Sequence, residues 1–272
     1  MNRVRLIAVD LDDTLLNSEL RISSRVKRAV SRAVDQDVPV VLATGRMFAA
    51  AVPFARELAL ETPLITYQGA LVKEHLTGRE LYHRPVPLDL AVDVVEHISP
   101  TGFHLQVYVD DTLCMPRLTP EGERYARISG VEPRVVGDLL HFLRVPPTKI
   151  VMIAPEREID LLMPHLLSKY DGLLHISKSK PHFLEFSEPQ ATKGEALKRL
   201  AAELGITREE VMAIGDGYND IPMLEYAGVA VVVGNARPEI KAYAGHVTAG
   251  NDEDGVAIAI ETLVLGEEGG WV

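Results

Sequence analysis

The sequence is short of cysteine and of positive charge, and it has no long apolar run. One cysteine, Cys114, among 272 residues excludes an internal disulfide framework and a cysteine-rich zinc site; its place in a strand-like stretch predicts an inert buried thiol. Lys and Arg number 28 against 39 Asp and Glu, a net charge of -11. That balance disfavours nonspecific binding to nucleic acid or an anionic membrane, while leaving room for a local cationic pocket that holds a small anion. No apolar stretch is long enough to cross a bilayer, and Arg3, Arg5 and Asp10 interrupt any leader-like opening, so a cytoplasmic location is expected. What is present is ordinary globular material, 47% apolar and 25% charged, with a length that predicts one large or two modest domains. A small-molecule substrate is the expected partner, with no nucleic acid and no membrane, in a monomer or a homodimer.

The most informative stretch is Val9-Asp10-Leu11-Asp12-Asp13-Thr14, which closes the apolar run Leu6-Ile7-Ala8-Val9. The run reads as a buried strand that ends in carboxylates. In extended backbone, residues i and i+2 share a side, so Asp10 and Asp12 are expected to point together. Two carboxylates in one space raise each other's pKa unless a cation neutralises them, which suits a hard divalent ion, or a nucleophile beside a general acid/base. An acidic strand end alone is also what a solvated loop or a helix cap looks like.

Later stretches repeat the pattern. Val26, Ala29, Val30, Ala33 and Val34 fall on one face of a helix that Ser23 or Ser24 can cap. Val38 to Ala43 reads as a buried strand running into Thr44-Gly45-Arg46 and a helix, a strand–turn–helix of the kind that holds a phosphate oxygen. Leu64 to Tyr67 is expected as a third parallel strand, followed by a hairpin turning near Thr77-Gly78. Pro85-Val86-Pro87 looks like a hinge into an inserted α+β module of mainly antiparallel strands, with Asp110-Asp111 as a tight turn. From Pro189 the α/β alternation resumes: Thr192-Lys193-Gly194 opens a helix, and Val211 to Ile214 ends in Gly215-Asp216-Gly217-Tyr218-Asn219-Asp220. Residues 1–84 and 188–272 are therefore expected to form one domain, interrupted by 85–187. In an open α/β sheet, ligands sit beyond the carboxyl ends of the strands, where Asp10, Asp12, Thr44, Asp216 and Asp220 would converge with Lys193.

That ordered set resembles the haloacid dehalogenase superfamily of phosphohydrolases. The position of the insert and Phe183-Leu184-Glu185-Phe186 before the lysine helix resemble its Cof-type sugar-phosphatase-like branch, which has a large C2-type cap. The tail from Gly234-Asn235-Ala236 through Asn251 to Val256 is similar to that branch too. The resemblance implies a Rossmann-like parallel-sheet core with an inserted α+β cap that sets specificity. It implies Mg2+-dependent hydrolysis of small phosphomonoesters, sugar phosphates or phosphorylated cofactors, through an aspartyl-phosphate. By position, Asp10 is the nucleophile and Asp12 the acid and then the base. Mg2+ falls to the Asp10 carboxylate, the Asp12 backbone carbonyl and Asp216, with Asp220 in or just outside the inner shell. Thr44, Gly45 and Lys193 fall to the phosphoryl oxygens, and Asn219 and Arg46 to phosphate or cap. His182, Lys178 and Lys180 are candidate cap contacts. Gln68 stands where relatives commonly have Asn. A phosphomutase of the same superfamily, or a noncatalytic regulator that binds Mg2+ or a ligand, are the alternatives.

Overall fold

The computed structural model describes residues 3–267; residues 1, 2 and 268–272 of the expected core lie outside the described residues. The chain separates into two compact units. The first runs to Tyr82 and resumes at Thr192, and the second is His83–Ala191.

The first unit is built on a parallel sheet in the order His246–Val247, Val229–Val232, Val211–Gly215, Leu6–Val9, Val40–Leu42. Leu6, Ile7, Ala8 and Val9 are all fully buried, as a central parallel strand covered on both faces requires. The alternation of its side chains decides what covers each face. Ile7 and Val9 join Val26, Ala29 and Val30 of the helix Ser24–Asp35 and Ala257 and Ile260 of the helix Gly255–Leu263. Leu6 and Ala8 join Leu197 and Leu200 of the helix Lys193–Glu203. Ser23 is the cap of the first helix: its Oγ accepts from the Val26 N–H at 3.1 Å.

Leu64–Thr66 runs parallel to the core sheet, as expected, joined to it through the isolated parallel bridge Ala43↔Ile65, and also pairs antiparallel with Leu71–Lys73. The cause of the antiparallel pairing is the connection, because Tyr67, Gln68 and Gly69 carry successive positive φ values of 52°, 61° and 101°. Three left-handed residues reverse the chain on the spot, so no crossover helix follows and the strands stay antiparallel.

The second unit is a six-stranded sheet in the order His175–Lys180, Phe183–Ser187, Lys149–Ile153, His104–Val109, Thr112–Met115, Arg134–Val135. Its pairs are antiparallel except the last. Asp110 and Asp111, at φ 49° and 55°, form the two-residue hairpin turn between Val109 and Thr112, the left-handed geometry that matches strand twist. One sheet face, with Leu105, Val107, Ile150, Met152, Leu184 and Phe186, packs under the helices Leu88–Ile98 and Glu156–Lys169. The other carries polar side chains: His104, Gln106 and Tyr108 form a hydrogen-bonded row that continues to Tyr125 of the helix Pro120–Ser129. Cys114 is buried, as expected, and burial pushes its thiol pKa up.

Candidate active site

The site is assembled at the carboxyl ends of three neighbouring core strands. Asp10 follows Leu6–Val9, is 5% exposed, and donates its N–H to the Ile214 carbonyl at 3.0 Å. The chain then turns back at once. Leu15 N–H reaches the Asp10 carbonyl at 3.2 Å and Leu16 N–H the Leu11 carbonyl at 2.9 Å, with Asp13 at φ 60°. This turn separates two carboxylates that strand geometry would point together. Asp10 Oδ1 accepts from Lys193 Nζ at 2.5 Å, whereas Asp12 accepts from Arg46, Nε to Oδ2 at 2.8 Å and Nη2 to Oδ1 at 2.5 Å. Each carboxylate has its own cation.

Lys193 is the first residue of its helix. Thr192 caps it, with Oγ1 accepting from the Glu195 N–H at 3.2 Å. The Lys193 ammonium is fully buried and also donates to Asp220 Oδ1 at 2.6 Å. Two glycines admit this placement. A Cβ on Gly69, at φ 101°, would lie 2.2 Å from the Thr192 carbonyl oxygen, and one on Gly194 would lie 2.2 Å from that of Pro222. Glycine therefore lets the 67–69 turn and the 221–226 helix close on either side of the lysine.

Asp216 and Asp220 follow Val211–Gly215. Asp220 Oδ2 accepts from the N–H groups of Asp216 and Gly217 at 3.0 and 2.9 Å, and Asp216 Oδ1 accepts from the Thr14 hydroxyl at 2.6 Å. One carboxylate oxygen from each of Asp10, Asp216 and Asp220 lies within 4.8 Å of the others. Electrostatics follow from this crowding. Burial raises the Asp10 pKa well above the carboxylate range; Lys193 opposes the rise and Asp220 adds to it. Burial also raises Asp216, to about 6, against the Thr14 hydrogen bond and with help from Asp220. Burial works against the Lys193 charge, but Asp10 and Asp220 outweigh it and hold its pKa above the ordinary value. The cluster is thus short of positive charge, and its donors are hard oxygens, the set that a divalent metal ion takes.

Thr44 is fully buried, and its Oγ1 accepts from the Arg46 N–H at 3.1 Å. The Gln68 amide lies against Gly45, where a Cβ would meet Gln68 Nε2 at 2.3 Å, and its Oε1 accepts from Asn219 Nδ2 at 3.0 Å. Asn219 is thereby joined to Gln68, and Arg46 to Asp12. Lys178 is paired with Glu156 and Asp160 at 3.1 and 2.7 Å, while Lys180 and His182 line a cavity of about 970 Å3 within the second unit.

Sequence reasoning assigned no role to Thr14, although its hydroxyl stands four residues after Asp10 inside the acidic stretch. It also missed a clasp on the loop that follows Asp10. Asn235 Nδ2 donates to the Asp13 carbonyl at 2.7 Å, Asn251 Nδ2 to that of Leu16 at 2.9 Å, and the Ser18 N–H to Asp252 at 2.8 Å. Asn235 and the stretch Asn251-Asp252-Glu253-Asp254 were the available signal.

Residues 7–260 match the family of haloacid dehalogenase-like hydrolases. The chain is 30% identical over 259 residues to the Bacillus subtilis 5-amino-6-(5-phospho-D-ribitylamino)uracil phosphatase YitU, covering 93% of this chain and 94% of that one. It is 28% identical to the Escherichia coli pyridoxal phosphate phosphatase YbhA, covering 93% and 96%. Among solved structures, a haloacid dehalogenase-like hydrolase from Bacteroides thetaiotaomicron is similar with a TM-score of 0.89 at 31% identity, over 96% of this chain and 99% of that one.

Proposed function

The chain belongs to the haloacid dehalogenase-like hydrolases, as a Cof-like phosphatase, and we propose that it hydrolyses small phosphomonoesters with Mg2+ through a phosphoryl intermediate on Asp10. The observation that carries this reading is the cluster of Asp10, Asp216 and Asp220 around the buried Lys193 ammonium. When all are ionised, three carboxylates and one ammonium leave two negative charges uncompensated, which a dication with oxygen ligands would balance. Asp10, Asp216 and Asp220, with the Asp12 backbone carbonyl, are the residues that would hold it. Bound there, Mg2+ would offset the charge of the phosphoryl group as well as that of the carboxylates.

Every other step belongs to the chain. An Asp10 carboxylate oxygen attacks phosphorus, the ester P–O bond breaks, and Asp12 gives its proton to the leaving alkoxide. Asp12 then takes a proton from the water that hydrolyses the aspartyl-phosphate. The Thr44 hydroxyl, the Gly45 turn and the Lys193 ammonium orient the transferred phosphoryl oxygens, because this chemistry is catalysed mainly by positioning and charge. The second unit selects the leaving group. Two relatives are named for phosphorylated small molecules, which supports sugar phosphates or phosphorylated cofactors as the substrate range.

The test is a rapid acid quench with a phosphomonoester and Mg2+, followed by peptide mass spectrometry. A phosphoryl adduct on the Asp10 peptide, lost in Asp10→Asn, is expected. Turnover with the adduct on another residue, or with none, would overturn the reading.

A further inference from the structure

We propose that Arg46 is a positioning residue for Asp12: its guanidinium holds the acid/base carboxylate in place and does not bind the substrate phosphate. The inference rests on the role given to Asp12 above. Both oxygens of Asp12 are taken by one planar fork, at 2.8 and 2.5 Å, a geometry that fixes the direction of a carboxylate as well as its distance.

The asymmetry of the pair says which partner orients the other. The Asp12 side chain is 44% exposed and that of Arg46 22%. Asp12 lies in the single irregular turn Leu11–Leu15, where its own backbone is extended (φ -75°, ψ 131°) and Asp13 is left-handed. Arg46 is anchored instead. Its guanidinium lies over the Phe54 ring at 5.0 Å, its N–H donates to Thr44 Oγ1 at 3.1 Å, and its carbonyl accepts from the Tyr67 N–H at 2.9 Å. An anchored cation therefore grips a half-exposed carboxylate on an irregular turn. Positive charge beside the nucleophile comes from a different residue, Lys193, which contacts Asp10 directly.

In the transfer step Asp12 first takes a proton from solvent on the oxygen that leaves Arg46; the Asp10–phosphorus bond then forms, the ester P–O bond breaks, and that proton passes to the leaving oxygen. One Asp12 oxygen must let go of Arg46 for this, while the other stays bound. The remaining N–H···O bond then acts as a pivot that keeps the acid over the reacting bond.

The experiment measures leaving-group release in the first turnover, on an alkyl phosphate and on a nitrophenyl phosphate whose leaving group needs no proton. Arg46→Gln is expected to slow alkyl release by about 10-fold or more and nitrophenyl release by less than about 3-fold, so retained nitrophenyl release also reports an intact fold. Arg46→Lys keeps the charge without the fork and should fall between Arg46→Gln and the unaltered protein. In an Asp12→Asn background, Arg46→Gln should add no further loss, because the two act as a unit. Competitive inhibition by inorganic phosphate should be unchanged in Arg46→Gln. Equal losses on both esters, losses that add to those of Asp12→Asn, or weakened inhibition by phosphate would overturn the proposal. Failure of the wider reading looks different: release from both esters would survive Asp10→Asn.

Discussion

Burial moves Asp10 and His104 in opposite directions, the carboxyl up and the imidazole down, because it penalises whichever form is charged. For His104 the consequence is a pH-dependent stability. Burial lowers its pKa, against the pull of Gln106 and Glu121, so the folded chain binds fewer protons than the unfolded chain as pH falls below about 6.5. The stability this neutral ring contributes is present above that pH and is lost below it. Its Nδ1 meets Thr119 Oγ1 at 2.7 Å and its Nε2 meets Gln106 Oε1 at 3.0 Å, and a Cβ on Gly122 would lie 2.4 Å from the ring, so a positive charge on the ring has little room to be solvated. Thermal melts from pH 7 to pH 5 should show a shallower fall in Tm for His104→Gln than for the unaltered protein. An identical slope in both would contradict the assignment. At this scale, residue types at strand ends were legible in the sequence: the Asp10, Asp216, Asp220 and Lys193 cluster forms as the motif order suggested. The Asp12–Arg46 pair was not, because a bond across 34 positions of sequence leaves no local pattern.

Among the elements, the helix that carries Lys193 shows how close packing can reverse a helix propensity. In an exposed helix, Gly→Ala stabilises by up to about 1 kcal/mol. At Gly194 the added methyl would sit 2.2 Å from the Pro222 carbonyl oxygen, a backbone atom that cannot swing aside. Gly194→Ala is expected to cost about 1–3 kcal/mol, typical of overpacking, and to lower phosphatase activity by shifting Lys193. Denaturant melts check the first part, and a stabilised variant would refute it. The continuous apolar runs of the core strands were readable because two-sided burial leaves that signature. The reversal after Leu64–Thr66 was not, because it depends on Tyr67 and Gln68 adopting a left-handed backbone that neither residue type favours.

For the whole molecule, a net charge of -11 coexists with a core site whose two cations, Lys193 and Arg46, are each committed to carboxylates. The site as a whole therefore favours a metal ion alongside an anionic ester. The parallel-sheet architecture was legible from the strand–helix alternation, and the family from the order of its acidic strand ends. The polar row of the second unit was not, since Tyr125 of the helix Pro120–Ser129 meets alternate residues His104, Gln106 and Tyr108 of one strand only in the folded unit. The most direct test of the account is phosphate release from sugar phosphates, phosphorylated cofactors and one activated aryl phosphate, with and without Mg2+, for the unaltered protein and Asp10→Asn. The account predicts turnover that requires Mg2+ and disappears in Asp10→Asn. No release from any ester, or release that persists in Asp10→Asn, would contradict it.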